Sequence, residues 1–139
     1  MRDRLALFAA ALWWGAITAI CGLAAPLLFR YLPSTALAGV MAARLFTALL
    51  WVAMGCGVIL LLILKVSIVQ KRDERALTTL MAVLAGMLFA LLIEFVAAPH
   101  IRMHEQLPMW HGVGVALFLL QWLCAGAVLW RLGARRESL

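Results

Sequence analysis

The sequence predicts an all-α polytopic membrane protein, an up-down antiparallel bundle of four transmembrane helices that forms one domain over residues 1–139. Composition is the first observation: 67% of the residues are hydrophobic and 13% are charged, whereas soluble domains carry about 25% charged residues. The second observation is four apolar runs, each long enough to cross roughly 30 Å of hydrocarbon. The third is an uneven distribution of basic residues around those runs, which is typical of membrane topology.

The four apolar runs predict helices at approximately residues 5–28, 37–64, 76–98 and 110–131. Backbone amides in lipid have no water to bond, so each run is expected to be helical. The strict alternation of a membrane β-strand is absent from these runs. The links between the runs are short, and short links make sequence neighbours antiparallel neighbours. Pro33 disfavours helix just before it, so Ser34 or Thr35 is expected to cap the second helix.

The net charge of +6 is distributed in a way that favours a topological role over nucleic-acid binding. Nine of the 12 basic residues precede the first run, flank the second link or follow the fourth run: Arg2, Arg4, Lys65, Lys71, Arg72, Arg75, Arg131, Arg135 and Arg136. The other three fall towards the opposite side: Arg30, Arg44 and Arg102. This bias predicts that both termini lie in the cytoplasm, an N-in/C-in topology.

Small residues predict where the helices pack, because membrane helices approach closely through glycine and alanine. The third helix repeats such residues every four positions, at Ala82, Gly86 and Ala90. The first helix offers Gly15 and Gly22. These stripes are expected to face neighbouring helices within the bundle. They also leave open a homo-oligomer or a partner membrane protein that packs through the same residues.

Two charges inside the predicted spans are the most informative polar residues. A charge within a membrane segment is costly and marks a function or a specific partner. Helix rise places Arg44 and Glu94 at similar depth, so they are expected to form a polar intramembrane pair. One interpretation is a purely structural ion pair. The other is a polar cavity that opens outward, in which Glu94 binds a cation or a proton. Gln121 is expected to face the bundle, since an unbonded amide in lipid is unfavourable.

The segment APHIRMHEQLPMWHG, residues 98–112, contains all three histidines of the chain. His100 and His104 have the i,i+4 spacing that places two side chains on one helical face. Together with His111 and Glu105 they form a candidate metal site, for which imidazole favours copper or zinc. A haem held between His111 and His100 or His104 is a weaker hypothesis. The alternative is a set of ordinary interfacial histidines without any cofactor.

Short motifs distributed along the chain resemble a known membrane family. They are Trp14–Gly15, Pro26, Leu28–Phe29, Pro33, Ala38–Gly39, Leu45–Phe46, Met54–Gly55–Cys56 and His111–Gly112. The pattern resembles the family of transmembrane protein 205 and its bacterial relatives, the domain-of-unknown-function family 4149. The resemblance implies a four-helix integral membrane protein whose biochemical role is unsettled.

Three functions follow as competing hypotheses. The first is a small inner-membrane protein that binds or passes a cation or transition metal at an outward-facing polar site. The second is an accessory or scaffold protein that associates with a partner membrane protein or with lipid. The third is a haem-binding redox protein. Enzymatic activity is less favoured, because the sequence shows no nucleophile–base pair, phosphate-binding loop or nucleotide motif.

Overall fold

A computed structural model describes residues 1–71, 74–104 and 106–137 of the chain. Within these residues the fold is all-α, without strands, and four helices are long and apolar enough to cross a membrane. We name them α1 to α4 in chain order. Their bounds are Arg2–Tyr31, Thr35–Lys71, Glu74–Arg102 and Leu107–Glu137.

Each helix extends beyond its predicted apolar run, by two to seven residues at either end. Hydropathy detects only the part of a helix that suits hydrocarbon. A helix continues into the polar interface as long as its backbone hydrogen bonds can form there. In α2, about 20 uncharged residues separate Arg44 from Lys65, which corresponds to roughly 30 Å of helix rise. The flanking turns of this helix therefore lie outside the length that a hydrocarbon core requires.

Helices α1 and α3 each contain one π-helical turn, at Ile20–Ala24 and Ile93–Ala97. In both, the backbone N–H that follows the turn bonds a carbonyl five residues back, from Ala25 to Ile20 and from Ala98 to Ile93. A proline comes next in both helices, and proline has no N–H to donate to the preceding turn. The wide turn therefore occurs where the regular α-helical bonding pattern is already interrupted.

The two π-helical segments share a sequence pattern that the apolar composition conceals. Residues 20–26 read ICGLAAP and residues 93–99 read IEFVAAP, so the isoleucine, both alanines and the proline occupy matching positions. Helix α1 and helix α3, each the first helix of a hairpin, thus share this short pattern. Of the three positions that differ, one changes the charge, because Cys21 in α1 corresponds to Glu94 in α3.

Short links join these helices. Leu32 is extended, with ψ 147°, as expected before Pro33. The Ser34 hydroxyl oxygen accepts a hydrogen bond from the Leu37 N–H at 3.2 Å, so Ser34 caps α2 as the sequence predicts. The link between α3 and α4 uses left-handed backbone at His104 and Gln106, with φ of 56° and 41°.

The core lies between all four helices, because each helix packs on its sequence neighbours and α1 also packs on α4. Trp13 is fully buried in this core. Beside it, the rings of Trp14 and Trp122 lie 5.5 Å apart, centroid to centroid. The indole N–H of Trp122 donates to the Thr18 hydroxyl at 2.9 Å, and that hydroxyl donates to the Trp14 carbonyl. These contacts fix α1 against α4.

Among the small residues, Gly86 makes the closest helix–helix approach to an aromatic side chain. Gly86 and Ala90 are buried and Ala82 is half-buried, so this stripe of α3 faces the interior of the same chain. Gly15 and Gly22 differ, because a Cβ added to either would meet no atom within 4 Å. Of the packing residues that the sequence predicts, those that pack closely are therefore on α3, and the two α1 glycines leave open space.

Replacing Gly86 by alanine should destabilise the bundle, although alanine usually favours a helix over glycine. The new Cβ would lie 2.7 Å from the Trp13 ring and 3.3 Å from the Cys124 Cβ. Overpacking of this kind costs about 1–3 kcal/mol. Gly55→Ala is the matched control, since its Cβ would meet nothing within 4 Å. Thermal unfolding in detergent, followed by tryptophan fluorescence, should rank Gly86→Ala below wild type and Gly55→Ala at or above it.

Candidate functional site

Glu94 is the centre of the candidate site, and it lies in the π-helical turn of α3. Its side chain is only 13% exposed. The Thr47 hydroxyl, on α2, lies 3.1 Å from each of two acceptors, the Glu94 carboxylate and the Ala43 carbonyl of its own helix, between which its single proton is shared. The Arg102 guanidinium, at the end of α3, donates to the same carboxylate at 3.0 Å. Two helices therefore hold one nearly buried carboxylate.

Both hydrogen bonds reach the same carboxylate oxygen, Oε1. In the described part of the chain, the second oxygen, Oε2, accepts no hydrogen bond. Arg102 has 51% of its side chain exposed, so it lies at the rim of the site rather than inside it. A half-exposed ion pair contributes little stability, typically ~0–1 kcal/mol. Arg102 therefore neutralises the Glu94 carboxylate from the rim of the site, and Oε2 remains free of hydrogen bonds from the described residues.

The structure gives Glu94 a different partner from the one that the sequence predicts. Arg44 is exposed and forms no ion pair with the described residues. The reason is helical geometry: Arg44 follows the buried Ala42 by two positions, and two positions rotate a side chain by roughly 200°. Arg44 therefore projects from the side of α2 opposite to the core. Similar depth did not bring the two charges to the same face.

The π turn explains why Arg102 reaches Glu94. Side chains eight residues apart on a regular α-helix are offset by roughly 80° around the axis. A π turn accommodates about one extra residue, and this reduces the offset towards zero. Arg102 thereby follows Glu94 on nearly the same face of α3. The sequence signal was the spacing of Pro99 from Glu94, which marks a break in regular helix without giving its geometry.

A small cavity of about 10 Å³ adjoins Glu94, which is enough for roughly one water molecule. Its only other polar lining residue is Gln121, from α4. Six apolar residues complete the lining: Phe46, Leu49, Leu50, Ala90, Ile93 and Phe118. Gln121 is 1% exposed, which confirms that it faces the bundle. Its side-chain nitrogen has no hydrogen-bond partner. The site thus contains a free carboxylate oxygen and an unpartnered buried amide.

The histidines lie beside this site without forming a cluster. The His100 ring stacks on Trp110, with centroids 3.9 Å apart and planes 16° from parallel, and its Nδ1 lies 2.7 Å from the Val96 carbonyl oxygen. The Nδ1 of His104 lies 3.2 Å from the Arg102 carbonyl oxygen. His111 is exposed on α4. Among the described residues, no three histidine, cysteine or acidic side chains are placed to hold a metal ion.

Helix bounds explain why the i,i+4 pair is not assembled. Helix α3 ends at Arg102, so His104 follows the helix and has left-handed backbone instead of completing a turn with His100. Glu105, the predicted acidic ligand, lies outside the described residues. The copper, zinc and haem hypotheses consequently gain no support from the described geometry. The polar centre is Glu94, and the His100–Trp110 stack joins the end of α3 to the start of α4 beside it.

Comparison with known families gives this arrangement a context. The model of a domain of unknown function, DUF4149, matches residues 8–107. The chain belongs to the DUF4149 family. This confirms the resemblance drawn from the sequence motifs. The DUF4149 match includes Thr47, Glu94 and Arg102, whereas Gln121 lies beyond it. Comparisons with curated proteins and with solved structures found no significant match.

Replacing Thr47 by valine tests the bond between α2 and Glu94. The two side chains have similar shape, so the change removes mainly the hydroxyl donor. We expect a loss of about 1.5–3 kcal/mol in stability, the usual range for a hydrogen bond to a charged group. Thr78→Val is the matched control, because the exposed Thr78 hydroxyl bonds only the Arg75 carbonyl on its own helix. Equal thermal unfolding of the two variants would show that the Glu94 contact adds no stability.

Proposed function

We propose that this protein spans the bacterial inner membrane four times as an up-down bundle, with both termini in the cytoplasm. The distribution of basic residues supports this orientation, as does the brevity of the links. In this arrangement the Glu94 end of the bundle faces the outside of the membrane. The exposed Arg44 then lies at the outer boundary of the hydrocarbon and Lys65 at the inner boundary.

Reporter fusions test this topology. A fluorescent protein fused after Leu139 should fluoresce, whereas alkaline phosphatase at the same position should be inactive, because the C-terminus is cytoplasmic. Alkaline phosphatase fused after Ser34, in the first link, should be active. Alkaline phosphatase activity at both positions, or at neither, would contradict the up-down arrangement with cytoplasmic termini.

We further propose that the protein binds a cation from the outer side, at Glu94. The observation that carries this proposal is a nearly buried carboxylate with one free oxygen beside a cavity. A charged side chain in a membrane segment is costly unless it has a function or a partner. The partner here is a half-exposed arginine at the rim, and an exposed side chain of this kind can move away when another cation arrives.

Arg102 thus acts as a tethered counter-ion in the proposed function. Without a bound cation, its guanidinium neutralises Glu94. With a cation on the free oxygen, the ion pair is weakened and the guanidinium can turn towards water, where half of its side chain already lies. Thr47 holds the carboxylate in place in both states. The histidines do not carry this proposal, because the described residues bring no three metal ligands together.

Cation-dependent stability tests the proposal. Purified protein without a polyhistidine tag should melt at a higher temperature in at least one metal chloride than in choline chloride of equal ionic strength. A cation at 100 times its Kd stabilises a folded protein by about 2.7 kcal/mol. Glu94→Gln should abolish this gain. Glu74→Gln, the same change at an exposed position at the start of α3, should retain it.

A gain that survives in Glu94→Gln would place the cation elsewhere on the protein. If the wild-type protein has the same melting temperature in every metal chloride as in choline chloride, the proposal is wrong.

A further inference from the structure

We propose that the exposed side of α2 holds a binding site for one anionic phospholipid. Arg44 binds the phosphate of the headgroup, and one acyl chain lies along a shallow furrow past an exposed tryptophan. The site consists of four exposed residues that share one face of the helix, at spacings of four, three and four positions: Arg44, Ala48, Trp51 and Gly55. This face is turned away from the core, so the site is separate from Glu94 and goes beyond the proposed cation binding.

Arg44 is the charge in this structure that requires a partner. It follows the start of α2 at Thr35 by nine positions, and its side chain forms no hydrogen bond or ion pair with the described residues. The turn before it carries exposed apolar side chains, Val40 at 55% and Met41 at 42%. A charge in such a membrane segment is costly without a partner. A guanidinium can form two parallel hydrogen bonds with a phosphate, so a phosphate is a well-matched partner.

The position of Arg44 along α2 matches the headgroup level of one leaflet. The uncharged stretch from Arg44 to Lys65 spans roughly 30 Å of helix rise, which is the thickness of the hydrocarbon core. Phosphate groups lie just beyond each edge of that core. A long arginine side chain can extend towards this level while its stem stays in apolar surroundings. A lipid phosphate is therefore within reach of Arg44 when the bundle spans a bilayer.

The furrow lies on the same face of α2, beside a projecting aromatic ring. Trp51 is 71% exposed, although tryptophan in membrane helices is enriched at the interfaces. Ala48 and Gly55 lie about one turn on either side of it, and neither has a side chain larger than a methyl group. A Cβ added to Gly55 would meet no atom within 4 Å. Gly55 follows Arg44 by 11 positions, or about 16 Å, which is close to the depth of one leaflet.

Charge favours a lipid over a second copy of the chain on this face. Two copies in one membrane that paired symmetrically through it would place Arg44 opposite its own counterpart at the same depth. Like charges repel, and more strongly in surroundings of low polarity than in water. A phospholipid with net negative charge supplies the opposite charge at the level of Arg44. A zwitterionic lipid carries its own cation, which competes with Arg44 for the phosphate. The site therefore favours an anionic headgroup.

Native mass spectrometry tests the headgroup contact, with the purified chain titrated in detergent with phosphatidylglycerol or with phosphatidylcholine of the same acyl chains. We expect wild type to bind one phosphatidylglycerol with an apparent Kd about tenfold lower than that for phosphatidylcholine. Arg44→Gln should abolish this difference, and Arg44→Lys should retain part of it. Arg30→Gln is the control and should keep the difference, because Arg30 is exposed at the same end of the bundle and lies 5.8 Å from the Tyr31 ring centroid.

Filling the furrow tests the acyl-chain contact. Gly55→Leu should weaken the binding of both lipids by about fourfold or more, which corresponds to one methylene group that is no longer buried. Gly22→Leu is the control, because Gly22 is exposed on α1 and its added Cβ would also meet no atom within 4 Å. Without lipid, Arg44→Gln should melt at the same temperature as wild type, since the Arg44 side chain bonds none of the described residues.

An unchanged preference for phosphatidylglycerol in Arg44→Gln would overturn the site. Equal losses in Arg44→Gln and Arg30→Gln would show a general attraction to basic side chains and would also overturn it. A lost preference in Arg44→Gln together with wild-type binding in Gly55→Leu would support the phosphate contact and overturn the furrow. A dimer that forms without lipid and is lost in Gly55→Leu would make a second copy the occupant. Glu94→Gln should bind phosphatidylglycerol as wild type does, so this test is independent of the proposed cation.

Discussion

The requirement that every backbone polar group be bonded without water governs this structure. It produces four helices that run unbroken through the apolar part of the chain. It also determines what happens at Pro26 and Pro99, where a backbone donor is missing. The chain widens into a π turn before each proline, and the i−5 hydrogen bonds at Ala25 and Ala98 keep the helix continuous. The candidate site depends on the second of these turns.

The same backbone turn occurs twice in the protein with different side chains. The segments at residues 20–26 and 93–99 share their isoleucine, alanines and proline, and both adopt the π turn. In α1 the turn carries Cys21 and has no ion pair. In α3 it carries Glu94, which bonds Thr47 and Arg102. Repetition of the backbone with different side chains indicates that the turn accommodates the following proline and does not depend on the polar site, which occurs at one of the two turns.

Hydropathy predicted the four helices, and the DUF4149 match confirms the family resemblance that was drawn from short motifs. The cap at Ser34 and the burial of Gln121 were also predictable, because each follows from a local rule. The partner of Glu94 was not predictable from the sequence. Predicting it requires the angular position of each charge, and a π turn shifts that position without changing the sequence spacing. The same limit applies to His100 and His104, whose i,i+4 relation has meaning only if the helix continues beyond Arg102.

In the proposed function, the closed packing of the core favours binding of the cation over its passage through the bundle. Beyond Gln121 the core is closed, because Trp13 is fully buried and its ring lies against Gly86 with no space for a methyl group. Two buried polar groups are described further along the core: the Trp13 indole N–H, which has no hydrogen-bond partner, and the Thr79 hydroxyl, which bonds the backbone of its own helix. Apart from Glu94 and Gln121, the residues that line the cavity are apolar. In the proposed function, a cation at Glu94 would therefore stay near one end of the bundle, and its occupancy would be coupled to the position of Arg102.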